Sequence, residues 1–131
     1  MTNTELIKTL YQHFANRDFE KIRNIFSPDI IWQQMEGFPG GGKYTGADAI
    51  FENVFKGFKD NWTDWKTEID EYKETDDTVF VSGRYTGTYN ATQKNVSAEF
   101  MHVYKIIDQK VTMFTQYTDT RLIAESMLTK N

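Results

Sequence analysis

One of the two histidines, His102, lies in the middle of the alternating stretch 96–107. Alternation with a period of two predicts a β-strand, on which Phe100 and Tyr104 share a face with His102. An imidazole among aromatic rings can act as a general acid or base near neutral pH. The alternative is a buried histidine that is satisfied by a single hydrogen bond. We predict that His102 lines a pocket, and it is the first candidate for proton transfer.

A second candidate catalytic group is Asp119, which directly precedes Thr120 and Arg121. At the mouth of a pocket its carboxylate can act as a base. An aspartate at this position is also a typical N-cap of a helix, and a short helix is predicted over 121–128. The pattern favours the cap and leaves the catalytic role open.

The aromatic content indicates a pocket. Phe, Trp and Tyr make up 15% of the 131 residues, and aromatic rings are the usual walls of pockets for flat apolar ligands. The alternative is that aromatic strands simply pack in a twisted sheet. Trp32 and Tyr117 combine a ring with a polar tip, which favours wall positions, and we expect Phe55 or Phe58 to cover the pocket as a lid. The predicted partner is a small hydrophobic molecule.

The composition argues against several other classes of protein. The net charge is -4 and no block of lysine and arginine occurs, so a nucleic-acid partner is not expected. The apolar runs are shorter than the roughly 18–20 residues of a membrane span, and the first ten residues do not resemble a signal peptide. We therefore expect a cytoplasmic protein without a membrane partner.

No cofactor or metal is expected from the residue types. There are no cysteines and only two histidines, and His13 and His102 fall on different predicted elements. The stretch 37–44 approaches a phosphate-binding loop, but Tyr44 stands where such a loop needs a serine or threonine for magnesium. A plain loop is the better interpretation.

The order of elements predicts an α+β fold in a single domain, residues 1–131. Thr2 and Glu5 form a capping-box pattern that begins the first helix, and the Gly-rich segment 36–45 is expected to hold no regular structure. Helices first and long antiparallel strands afterwards are typical of helices packed on one face of a curved sheet. The other predicted helices lie over 19–27, 47–59 and 121–128, and the strands over 29–35, 65–73, 79–89, 96–107 and 111–118.

Three segments resemble the SnoaL-like family, which is polyketide-cyclase-like and related to ketosteroid isomerases. They are Tyr44-Thr45-Gly46-Ala47-Asp48-Ala49-Ile50, Phe100-Met101-His102-Val103-Tyr104 and Gln116-Tyr117-Thr118-Asp119-Thr120. The resemblance covers essentially the whole chain. It implies the cone-shaped nuclear-transport-factor-like fold, in which N-terminal helices pack on a curved, mostly antiparallel sheet.

The resemblance also implies where catalytic groups would stand. The catalytic aspartate of the cyclases falls on Gln116, and the base of the steroid isomerases falls near Gln34. The tyrosine of the isomerases that donates to an oxyanion falls near Leu10, with Tyr11 one position away. Glutamine cannot take up a proton, so we expect Gln34 and Gln116 to orient a ligand or a water together with His102.

Two functions follow as hypotheses. The first is a metal-free isomerase, cyclase or hydrolase that acts by proton transfer on a hydrophobic ring-containing or polyketide-like compound. The alternative is a non-catalytic ligand-binding or structural homodimer, which the glutamines at both acidic positions favour.

The last two strands carry two further expectations. A three-residue loop over 108–110 would place Ile107 opposite Val111 and His102 opposite Gln116. On the outer face of the sheet, an apolar row is expected to need burial in a homodimer, as in the resembled family. The members of that row are Met101, Val103, Thr112 and Phe114.

Overall fold

The computed structural model describes residues 1–129 as helices packed on one face of a curved sheet. The helices are α1 (Asn3–Ala15), α2 (Phe19–Ile25), α3 (Ala47–Ile50), α4 (Lys56–Asn61) and α5 (Thr120–Met127), with a π-helical turn Phe51–Phe55 between α3 and α4. The strands are β1 (Phe26–Gln34), β2 (Gly42–Thr45), β3 (Trp62–Thr75), β4 (Thr78–Tyr89), β5 (Asn95–Ile107) and β6 (Lys110–Thr118). The predicted α+β, cone-shaped fold is confirmed.

The sheet has the strand order β2-β1-β6-β5-β4-β3 in the described range. The β1–β6 pair is parallel, and the other neighbouring pairs are antiparallel. One face packs against α1 and α2, which bury Leu6, Ile7, Leu10 and Ile22. No helix within residues 1–129 combines the length and apolar character that crossing a membrane requires.

The N-terminal capping box forms as predicted. The Thr2 side chain accepts from the Glu5 backbone N–H, and the Glu5 carboxylate accepts from the Thr2 backbone. The Gly-rich segment differs from the prediction, because its last four residues form β2 on the free edge of β1. The Tyr44 hydroxyl donates to the Gly40 carbonyl at 2.9 Å and closes the preceding turn. Main-chain pairing at a sheet edge depends little on side-chain type, so glycine content did not reveal this strand.

The β5–β6 hairpin corrects the predicted loop but keeps the predicted pairing. Asp108 and Gln109 both have positive φ, 51° and 63°, which makes a two-residue turn. A bulge in β6 then inserts one extra residue, Thr112, and His102 lies opposite Gln116 as predicted. The same bulge turns Phe114 into the core, with 1% of its surface exposed. The prediction that Phe114 belongs to the outer face is therefore wrong.

Gly83 is the position in β4 where the neighbouring strand and ring leave no room for a side chain. A Cβ there would lie 2.0 Å from the Glu68 carbonyl oxygen and 2.7 Å from Cζ of Phe100. Contacts this short force backbone to move, so the glycine allows β3 and Phe100 to approach together.

We predict that Gly83→Ala lowers the free energy of unfolding by about 2–3 kcal/mol, through the steric clash. Urea denaturation followed by circular dichroism measures the change. Ser82→Ala, one residue earlier on the other face, is the matched control and should change stability by less than about 0.5 kcal/mol. Equal stabilities for the two variants would contradict the packing described.

Candidate functional site

The helices and the inner face of the sheet enclose a cavity of about 720 Å³. This volume is in the range of small-molecule pockets. Aromatic side chains form most of the wall, and exposed charged residues, Arg17, Asp64, Lys66 and Glu68, line its open side. The buried polar groups of the cavity are Tyr11, Gln34, Tyr85, His102, Tyr104 and Gln116.

His102 is held between two tyrosine hydroxyls. Nδ1 lies 2.6 Å from the Tyr11 hydroxyl, and Nε2 is hydrogen-bonded to the Tyr85 hydroxyl. Burial lowers the pKa of His102 to about 3, so the ring is neutral near neutral pH. Both ring nitrogens are occupied, and the imidazole therefore positions hydroxyl groups rather than meeting a ligand itself.

The tyrosines remain protonated donors. The Tyr104 hydroxyl lies 3.0 Å from that of Tyr11 and extends the hydrogen-bonded chain. Burial raises the pKa of Tyr11, Tyr85 and Tyr104, and the neighbouring tyrosines raise that of Tyr11 further. At ordinary pH these groups can donate a hydrogen bond, but they do not act as phenolate bases.

The two glutamines are oriented by their partners. Gln116 Oε1 accepts from the Met35 backbone N–H at 3.1 Å, so its Nε2 donates to the Tyr85 hydroxyl at 2.9 Å. Gln34 Oε1 accepts from Trp32 Nε1 at 2.9 Å. His102 and Gln116, which lie opposite each other, thus share the Tyr85 hydroxyl as a hydrogen-bond partner.

Aromatic side chains from the sheet and from the helices form the walls of the cavity. Trp32 stacks on Phe114 of the neighbouring strand, with ring centroids 3.7 Å apart, and meets Phe55 at 5.4 Å. Phe55 and Phe58 line the helical side of the cavity. Phe100 differs, because its ring stacks on His102 at 4.1 Å and is not among the residues that line the cavity.

Tyr117 and Asp119 lie apart from the cavity. Period-two alternation sends Tyr117 to the face opposite Gln116, where 51% of it is exposed. β6 ends before Asp119, whose Oδ1 accepts from the Leu122 N–H at 3.2 Å and caps α5. The wall position expected for Tyr117 and the catalytic position considered for Asp119 do not fit this geometry. Across residues 1–129, no three His, Cys, Asp or Glu side chains are grouped to hold a metal ion.

Tyr85 was not among the residues predicted for the site, and Tyr11 was considered only as the neighbour of Leu10. Tyr85 shares the inner face of β4 with Val79 and Val81, and a tyrosine at a buried position needs a hydrogen-bond partner. The alternation of residues along β4 places Tyr85 on the inner face, so its role could have been predicted from the sequence. Leu10 is fully buried in the core, so the first-helix tyrosine of this site is Tyr11.

The sequence matches the model of a known protein family. A model of the SnoaL-like domain matches residues 7–114. The chain belongs to the SnoaL-like family. This family includes polyketide cyclases and isomerases. No curated protein matches the chain in sequence.

Three solved structures illustrate the similarity in fold. An NTF2-like protein from Burkholderia thailandensis is 33% identical with a TM-score of 0.92, over 98% of each chain. TerC, co-crystallized with polyporic acid, is 26% identical with a TM-score of 0.84, over 95% of this chain and 97% of TerC. A protein with a ketosteroid isomerase-like fold from Catenulispora acidiphila, in complex with trimethylamine, is 16% identical with a TM-score of 0.78, over 97% and 95%.

The buried imidazole predicts a pH-dependent stability. The unfolded chain binds a proton on His102 below about pH 6.5, whereas the folded chain does so only near pH 3. The free energy of unfolding should therefore fall as the pH is lowered below 6.5, by about 1.4 kcal/mol per pH unit from this group.

His102→Gln provides the comparison, because an amide can donate and accept towards both tyrosines but does not titrate. Urea unfolding at pH 7, 6 and 5 should show the stability advantage of the wild type shrinking towards low pH. His13 is present in both proteins, so its titration cancels. A difference that is independent of pH would contradict a buried neutral imidazole.

Proposed function

We propose that this protein binds a flat, hydrophobic ring compound that bears a carbonyl oxygen, and promotes its isomerisation or cyclisation by metal-free proton transfer. The observation that carries the proposal is a set of tyrosine hydroxyls, fixed by His102, at the floor of an aromatic cavity. Aromatic walls suit flat rings, and a fixed hydroxyl suits a carbonyl oxygen.

The chemistry follows from the hydroxyl donors. A hydroxyl that donates to the carbonyl oxygen stabilises the negative charge that develops there when a neighbouring carbon loses its proton. Tyr11, Tyr85 and Tyr104 suit this role because burial keeps them protonated. The carboxylates that line the cavity, Asp64 and Glu68, lie at its open side. In this proposal one of them takes up the proton that the substrate carbon loses and returns it to another carbon.

A relative supports the class of ligand. TerC, 26% identical to this chain, was crystallised with polyporic acid, a diphenyl-substituted hydroxyquinone. The rings of Trp32, Phe58 and Trp65 line the cavity of the present protein and offer stacking surfaces to a compound of this shape.

Non-catalytic ligand binding is the second candidate, and the two glutamines favour it. Gln34 and Gln116 are 4% and 2% exposed, and both are hydrogen-bonded to protein groups. The inner positions that would hold an acid in the resembled enzymes therefore hold neutral amides. Binding without turnover is the expected behaviour if the carboxylates at the open side do not act.

The outer face of the sheet supports a homodimer. Phe80, Met101 and Tyr117 are 36%, 37% and 51% exposed. Met101 and Tyr117 are directly opposite each other on β5 and β6, and Phe80 pairs with Val103. This continuous apolar strip is the face that we propose a second copy covers.

Binding is tested with polyporic acid as the probe, followed by quenching of tryptophan fluorescence. The wild type should bind it, and Tyr85→Phe should bind about five- to tenfold more weakly, because the hydrogen-bonded network that fixes the hydroxyl donors loses one member. Tyr117→Phe removes an exposed hydroxyl on the other face and should bind like the wild type. Equal losses in both variants, or no binding to the wild type, would refute the proposed cavity.

Turnover separates the two candidate functions. Ring-bearing ketones incubated with the protein in deuterium oxide should gain deuterium next to the carbonyl faster than in buffer alone if the protein promotes enolisation. Mass spectrometry measures the exchange. Binding of polyporic acid without any catalysed exchange would favour the non-catalytic candidate.

The dimer is tested by light scattering at micromolar concentration. The wild type should have twice the mass of one chain, and Met101→Lys should dissociate it because a charge is placed in the apolar strip. Gln12→Lys, on α1 at the helical side of the sheet and with an exposed side chain, is the control for an added lysine. A monomeric wild type would refute the proposal.

A further inference from the structure

Four groups in the cavity form one unbranched hydrogen-bonded chain. Its order is Tyr104, Tyr11, His102 and Tyr85, and it contains three contacts. Each tyrosine hydroxyl carries one proton and the neutral imidazole carries one. A contact uses one proton, so four protons serve three contacts. One proton is always left without a partner in the chain.

The tautomer of His102 decides where this proton lies. With the proton on Nδ1, the imidazole donates to Tyr11 and accepts from Tyr85, and the unused proton belongs to Tyr11 or Tyr104. With the proton on Nε2, the imidazole donates to Tyr85, whose own proton is then unused. In that case Tyr104 donates to Tyr11, and Tyr11 donates to Nδ1.

Among the described residues, no acceptor is hydrogen-bonded to this proton at the Tyr85 end. Gln116 is turned by the Met35 N–H so that it presents its NH₂ group, not its oxygen, to Tyr85. Gln34 is turned in the same way, because its oxygen accepts from Trp32. The Nε2 of Gln34 donates to no other residue of the described chain and lies at the cavity wall. The cavity floor therefore presents protons without a partner, from the hydroxyl chain and from the Gln34 amide.

We propose that this floor selects ligands which bring a hydrogen-bond acceptor, a carbonyl or ionised hydroxyl oxygen, and that the position of this oxygen sets the tautomer of His102. The inference rests on the proposed binding function and narrows its ligand class. A ligand with a donor at this point leaves the surplus proton without an acceptor, and a ligand without a polar atom displaces water from the unused hydroxyl without replacing its acceptor.

Three tricyclic compounds of equal shape test the selection. In 9-fluorenone the bridging position is a carbonyl, in fluorene it is a CH₂ group, and in carbazole it is an N–H donor. Titrations followed by tryptophan fluorescence should give a Kd for fluorenone at least about tenfold below those of fluorene and carbazole. Fluorene or carbazole binding as tightly as fluorenone overturns the inference but leaves ring binding intact. Failure of all three to bind overturns the proposed function with it.

The coupling to His102 has its own readout. A ring nitrogen of ¹⁵N-labelled histidine has a different chemical shift when it is protonated and when it is not. In the variant His13→Gln, His102 is the one remaining histidine, so its signals are assigned without ambiguity. Fluorenone should move His102 to a single tautomer, whereas fluorene should not. An unchanged tautomer ratio with bound fluorenone overturns the coupling.

The ligand preference of Tyr85→Phe must agree with the tautomer of His102 that is observed. If fluorenone fixes the proton on Nε2, Tyr85 is the donor to the ligand, and Tyr85→Phe should lose the preference for fluorenone over fluorene. If it fixes the proton on Nδ1, Tyr85→Phe should keep the preference. Tyr117→Phe is the matched control and should keep it in both cases. Any other combination of tautomer and preference overturns the inference.

Discussion

The burial of a neutral imidazole between two hydroxyls is the constraint on which the site depends. Burial lowers the pKa of His102 and keeps the imidazole neutral near neutral pH, and each of its nitrogens needs a partner. Tyr11 comes from α1 and Tyr85 from β4, so the ring ties the first helix to the middle of the sheet. Loss of either partner leaves a buried ring nitrogen without a hydrogen bond, which lowers the free energy of unfolding by about 1–3 kcal/mol. The network therefore belongs to the fold as much as to the site.

The cavity combines aromatic walls with a few polar groups that are fixed by hydrogen bonds. Phe100 stacks behind the imidazole, and Trp32 and Phe114, which stack on each other, form part of the wall. The hydroxyl and amide groups project from that wall and form hydrogen bonds with neighbouring polar groups of the same network. This arrangement is typical of a site in which a few fixed polar groups orient a ligand within apolar walls.

The fold was predictable because its signals are local and strong. The capping box of Thr2 and Glu5 and the alternation through β4 and β5 each follow from short-range spacing, and the structure agrees with both. β2 was missed because strand pairing at an edge leaves little trace in side-chain type.

Within the site, the sequence indicated that His102 and Gln116 are neighbours but not how they touch. The link is the hydroxyl of Tyr85 on a third strand, and only the register of β4 against β5 brings it there. Such a contact depends on two pairings at once. The contact through Tyr85 is determined by tertiary structure, so no motif within a single segment predicts it.

The bulge at Thr112 shows how far the site depends on one residue of register. The two-residue turn alone would pair His102 with Thr115 and direct Gln116 to the outer face, because a shift of one residue reverses every side chain of a strand. The extra residue restores the inward position of both Phe114 and Gln116. The amide that orients Tyr85, and the ring that supports Trp32, therefore reach the cavity for the same reason. A local irregularity in the hairpin, rather than the regular part of the sheet, determines that polar groups meet at the floor of the cavity.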